Sequence, residues 1–113
     1  MDFPDDEIQE LKALHGSVQR ADEGGVTFFM LPLLHLPEGC SPKRVDSLLC
    51  PTARDGYSSR LFFAEKPHSR STPNWNGQVR ILERNWYAFS WRIQAPAPLR
   101  LAQMVQVHLR GLR

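Results

Sequence analysis

Residues 26–36 are the longest apolar stretch of the chain, and they follow directly on Glu23-Gly24-Gly25. Two adjacent glycines supply the positive φ that a tight turn needs. The apolar run behind them reads as a long strand. Pro32 cannot donate to a ladder, so the strand is expected to split or bulge there. Pro32 and His35 interrupt the run, which is far short of the ~18 residues of a membrane span.

The other elements arrange themselves around this strand. Residues 4–15 read as a helix: Pro4 suits the first helical position, and Asp5, Asp6 and Glu7 complement the dipole of the first turn. Ile8, Leu11 and Leu14 fall on one stripe at helical spacing, and Gly16 is a C-terminal stop. Strand signals follow at 17–22, 26–36, 45–49 (closed by Pro51) and 61–64, with a turn-rich loop around Asp55-Gly56. Residues 65–78 are irregular, rich in Pro, Ser, Asn and Gly, and an irregular stretch of that length usually carries function. Residues 79–93 are apolar and aromatic, and both helix and strand stay open there. Ala95-Pro96-Ala97-Pro98 reads as a stiff linker. Residues 99–112 form a final helix with Leu101, Met104, Val105, His108, Leu109 and Leu112 on one face. The expectation is an α+β fold in one domain over 1–113: N-terminal helix, four-stranded antiparallel meander, irregular segment, C-terminal helix.

With 42% apolar and 23% charged residues, the chain reads as globular. The acidic stretch from Asp2 to Glu10 is unlike a signal peptide, and Cys40 and Cys50 form neither a metal pattern nor a disulfide framework. These features predict a cytoplasmic protein without metal, cofactor or membrane contact. The net charge of +2 is uneven: seven acids and two bases in residues 1–25, five acids and twelve bases thereafter. Either this is an ordinary solvated surface, or a basic body docks an acidic partner. The arginines are spread rather than clustered, which argues against nucleic acid.

Thr72-Pro73-Asn74, Asn76-Gly77, Val79, Arg80, Ile81-Leu82 and Trp86 resemble the active-site segment of ubiquitin-conjugating enzymes. That segment has a His-Pro-Asn turn, an Asn/Gly pair, a β-branched residue, the catalytic cysteine, a leucine and a nearby tryptophan. A closer resemblance is to the prokaryotic ubiquitin-conjugating-like family E. Its pattern matches Leu36-Pro37-Glu38-Gly39, Val45-Asp46-Ser47-Leu48-Leu49, Pro51, Gly56-Tyr57, Phe62-Phe63 and Trp86-Tyr87-Ala88-Phe89-Ser90-Trp91, across residues 5–112. Two departures stand out. Arg92 occupies the place where many members have a histidine, and Arg80 falls where the cysteine belongs. A thioester requires a thiolate, and arginine has no nucleophile and stays protonated.

The resemblance implies a ubiquitin-conjugating-enzyme fold and a bacterial ubiquitin-like conjugation system, with antiviral defence as its setting. It implies a catalytically inert subunit whose partners are a ubiquitin-like modifier and an adenylating protein. In the family the first helix meets the activating enzyme, which puts Asp5, Asp6 and Glu10 at a partner interface. Trp75, in a polar loop, is expected to be exposed and to join a binding surface. Two other readings stand beside this one: an active transferase using another nucleophile, and an interaction module unrelated to conjugation. For the former the weak candidates are Cys40, Cys50, Ser90 and, as base, His68. Cys40 is expected in an open turn and Cys50 as a small buried hydrophobe. His108 reads as a packed histidine, Asn74 as a turn residue, and Trp86, Phe89 and Trp91 as core.

Overall fold

The computed structural model describes residues 3–93 and 98–113. Helix α1 spans Asp5–His15. Pro4 precedes the helix as its cap rather than opening it, and Gly16 ends it at φ 77°, donating its N–H to the Lys12 carbonyl at 2.8 Å. The apolar stripe is narrower than its spacing suggests. Leu11 is fully buried and Ile8 half-buried, but Leu14 is 56% exposed. The helix packs on the C-terminal helix as well as on the sheet. The covered line therefore passes through Ile8, Leu11 and His15, and Leu14 turns away from it.

Strands β1 (Gln19–Glu23), β2 (Val26–His35), β3 (Arg44–Cys50) and β4 (Arg60–Phe63) form an antiparallel meander in chain order. The first hairpin closes on Glu23 opposite Val26, with Gly24 and Gly25 at φ 59° and 79°. Both values are left-handed, as a two-residue primed turn requires. The β2–β3 ladder breaks between Leu31 and Leu34, which is the bulge expected at Pro32. Leu33, at φ 50°, donates its N–H to Asp46 Oδ1 at 2.8 Å instead.

Both faces of the sheet are covered. Phe29, Leu31, Leu49 and Phe63 pack under α1 and α2 with Leu11, Leu101, Val105 and Leu109. Phe28, Leu48, Cys50 and Phe62 point the other way. Over them folds a small hairpin of β5 (Val79–Ile81) and β6 (Arg84–Trp86), turning at Leu82 and Glu83. Residues 79–86 are therefore a hairpin, and 87–93 continue without helix. Trp86 is fully buried and donates its indole N–H to the Ile81 carbonyl at 3.0 Å. Arg84 meets Asp46 at 2.9 Å and the Leu82 N–H meets Glu23 Oε2 at 2.8 Å, pinning the hairpin across the sheet.

Beyond β4 the pairing continues irregularly. Phe63 and Tyr87 exchange both backbone hydrogen bonds, and Asn74 and Asn76 pair with Ser90 and Ala88. Ala95, Pro96 and Ala97 of the expected linker lie outside the described residues. Helix α2 (Leu101–Leu109) starts two residues later than its pattern predicts and tightens into a 3-10 turn over Arg110–Leu112. Leu101, Val105, His108, Leu109 and Leu112 are buried, while Met104 is partly so. A side chain at Gly111 would collide with the Phe89 ring, so the last turn can lie flat on the aromatic core only with glycine there. The fold is α+β in the order the sequence predicts. No helix among the described residues is long and apolar enough to cross a membrane.

Candidate functional site

The segment that resembles an active site is built as an edge. Because residues 74–76 pair with 88–90, Trp75 alternates inward rather than out to solvent. It is half-buried, edge-on to Phe63 at 5.8 Å and to Phe89 at 5.2 Å. The expectation of an exposed Trp75 is corrected on this point. Ser90 Oγ accepts hydrogen bonds from Asn76 Nδ2 at 3.1 Å and Asn74 Nδ2 at 3.5 Å. Two amides hold this hydroxyl, and neither can take its proton. Thr72 is exposed, and the Pro73 carbonyl accepts the Trp75 N–H at 3.1 Å.

Arg60 organises this edge, and no sequence pattern singled it out. It is only 5% exposed. Its guanidinium donates to Asp55 Oδ2 at 3.2 Å, to the Asn76 side-chain oxygen and to the Phe89 carbonyl at 3.3 Å. It also stacks over the Tyr57 ring at 4.4 Å. Asp55, Asn76 and Phe89 come from three separate stretches of chain, so only the fold brings them together. The one local signal was Asp55 and Tyr57 shortly before an arginine that opens an aromatic strand.

Arg80 sits exposed on β5, in the stretch where helix and strand had both stayed open. Its guanidinium donates to Asn85 Oδ1 at 3.2 Å and to the Glu83 carbonyl at 2.9 Å, closing its own hairpin.

The alternative nucleophiles fare no better in geometry. Cys40 is buried, not in an open turn, with Sγ 3.9 Å from the Leu112 carbonyl. Burial pushes its thiol pKa up, and the Arg70 charge only partly offsets that. Cys50 is fully buried in β3, as its apolar setting predicts. His68 is exposed, and its backbone exchanges hydrogen bonds with Ser41, the residue after Cys40. The two side chains part there, since the Cys40 thiol turns inward to Leu112. One hydroxyl–imidazole pair does have nucleophile–base spacing: Ser59 Oγ lies 2.9 Å from His108 Nε2. Both residues are buried, and burial followed by the Arg60 charge lowers the His108 pKa to about 4. A substrate cannot reach this pair, so it serves packing.

The acids of α1 have an internal use. Arg100 meets Asp6 at 3.0 Å and Glu10 at 3.1 Å, and Glu7 Oε1 accepts the Leu101 N–H at 3.1 Å. The hydrogen bond from Arg100 holds the Asp6 carboxyl below its ordinary pKa. Asp5 stands exposed at the start of the helix. A cleft of about 510 Å³ opens beside this clamp, lined by Glu10, Leu14, Ile93, Arg100, Gln103 and Val107 among others. Among the described residues no three His, Cys, Asp or Glu side chains are placed to hold a metal ion.

No family model, curated protein or solved structure matches the chain.

Proposed function

We propose that this chain is a catalytically inert, conjugating-enzyme-like subunit of a bacterial ubiquitin-like conjugation system. It binds the ubiquitin-like modifier, the adenylating protein, or both, and acts in the cytoplasm. The observation that carries the reading is Arg80. At the position that the resemblance reserves for the thiol, its guanidinium is spent on closing a hairpin. The remaining thiols support the same reading, because Cys40 and Cys50 are buried. Burial also raises the pKa of the Cys40 thiol, and a raised thiol is a poor nucleophile.

The test is reconstitution with ATP, an adenylating protein and a ubiquitin-like modifier. The chain should carry no thiol-sensitive adduct, and it should bind one of the two partners. Changing Cys40 and Cys50 to Ala should leave conjugation by the whole system intact. An adduct that disappears in one cysteine variant, with the fold preserved, would overturn the inert reading.

A further inference from the structure

Strand β1 is the outermost strand of the sheet, and four of its five residues are exposed. A two-residue turn makes the pair flanking it, Glu23 and Val26, exchange hydrogen bonds, and antiparallel pairs alternate from there. Ala21 and Gln19 then bond inward to Phe28 and Met30. Arg20 and Asp22 direct their backbone N–H and C=O groups outward. An outer edge of this kind is a template for another strand.

The sequence of the edge, Gln19-Arg20-Ala21-Asp22-Glu23, is complementary to itself when reversed. Set antiparallel about Ala21, a second copy places its Asp22 opposite Arg20 and its Arg20 opposite Asp22. Gln19 then faces Glu23, an amide donor against a carboxylate. Ala21 faces Ala21, the small side chain falling at the closely spaced non-hydrogen-bonded position. Opposite charges directly across an antiparallel pair are favourable, and like charges are not. An edge blunted only by charge of one sign would repel its own copy, and this one does not.

We propose that β1 is a self-complementary edge through which two copies of this chain pair antiparallel, joining two four-stranded sheets across a two-fold axis. The contact is isologous, so each charge pair occurs twice. Arg20 is already engaged within its own chain, meeting Asp22 at 3.7 Å and Thr27 Oγ1 at 3.4 Å. On pairing, Arg20 gains the Asp22 of the facing strand, while its own Asp22 stays held by the Thr27 hydroxyl at 2.6 Å. Both side chains are accessible for the pairing, at 38% and 59% exposed. A five-residue edge is a small interface, well below the ~1,200 Å² of stable complexes, so the dimer is a weak one. The proposal is independent of any role in conjugation.

Charge-swap sedimentation tests it. The wild-type chain should move from 13.0 kDa toward twice that mass between roughly 10 μM and 1 mM. Arg20→Asp and Asp22→Arg should each remain monomeric, since each sets like charges opposite one another. Their one-to-one mixture should dimerise, because the aspartate introduced in one copy then faces the arginine introduced in the other. The double variant Arg20→Asp/Asp22→Arg should dimerise with itself. Amide exchange adds a local readout: the N–H groups of Arg20 and Asp22 should gain protection as concentration rises. A wild-type chain that stays at 13.0 kDa throughout overturns the proposal. So does self-association that either single swap leaves unchanged, or failure of both the mixture and the double variant to associate when circular dichroism shows them folded.

Discussion

A hydroxyl 2.9 Å from an imidazole is a nucleophile with its base in one setting and a packing pair in another, and burial decides between them at Ser59 and His108. The same burial makes His108 a measurable term in stability. Its pKa falls from 6.5 unfolded to about 4 folded, so the unfolded chain binds the proton more readily between those values. Stability from this group is present above pH 6.5 and is lost as pH falls toward 4, by on the order of 3 kcal/mol. His15, lowered by burial, works in the same direction. Asp46, held below 3.8 by the Leu33 N–H and Arg84, loses its contribution only at lower pH, so the windows separate. Urea titrations of His108→Gln across pH 7 to 4 should show a clearly flatter dependence than the wild type. Equal slopes would remove His108 from the account. Arg60 makes the sharper case, since Arg60→Ala leaves the Asn76 side-chain oxygen and the Phe89 carbonyl without their guanidinium and should cost ~1–3 kcal/mol, Asp55 being open to water. Arg60→Lys should not restore it, because an ammonium cannot fork to three acceptors and stack on Tyr57 together. His108 was legible in the sequence as a packed residue on an amphipathic face. Arg60 was not, because its partners at Asn76 and Phe89 lie 16 and 29 residues away.

Elements were legible where a local signal had only one outcome. Gly24-Gly25 gave a hairpin, and Pro32 gave a bulge. Residues 79–93 were not legible, because Ile81 and Trp86 are buried by a hairpin folded over the second face of the sheet. Nothing in a run of apolar and aromatic residues tells that arrangement from one face of a helix. The stripe of α1 was half right for a related reason: spacing locates a face, but its width depends on what lies against it. That difference predicts unequal costs for two leucines three residues apart. Leu11→Ala should cost ~2–5 kcal/mol, whereas Leu14→Ala should stay within ~0.5 kcal/mol. Equal losses in chemical denaturation would mean that the helix is rotated from its described position. For the small hairpin, Trp86→Ala should cost ~3–5 kcal/mol, because the ring is fully buried and its N–H bonded. A loss below ~1 kcal/mol would show that the hairpin does not cover that face in solution.

At the scale of the molecule, the proposed role in conjugation makes α1 a partner surface, and the structure divides its acids into two kinds. Asp6 and Glu10 grip Arg100, and Glu7 caps α2 through the Leu101 N–H. Reversing Asp6 or Glu10 would set a lysine against Arg100 and add a stability change to any binding measurement. Asp5 is exposed at the open end of the helix, so it reports on docking without disturbing the clamp. If an adenylating protein or a modifier docks here through a basic surface, Asp5→Lys should lower the association rate several-fold at low salt. The deficit should shrink as ionic strength rises, because an exposed charge acts by steering and is screened within ~10 Å at 0.1 M. Trp75 belongs to the other class. It is wedged against Phe63 and Phe89, so Trp75→Ala should first lower stability, and a change in off-rate counts as an interface effect only after fold is controlled. Stopped-flow association of wild type and Asp5→Lys at two salt concentrations decides the matter. Equal rates at low salt, with binding intact, would place the partner surface away from α1 and remove the helix from the interface.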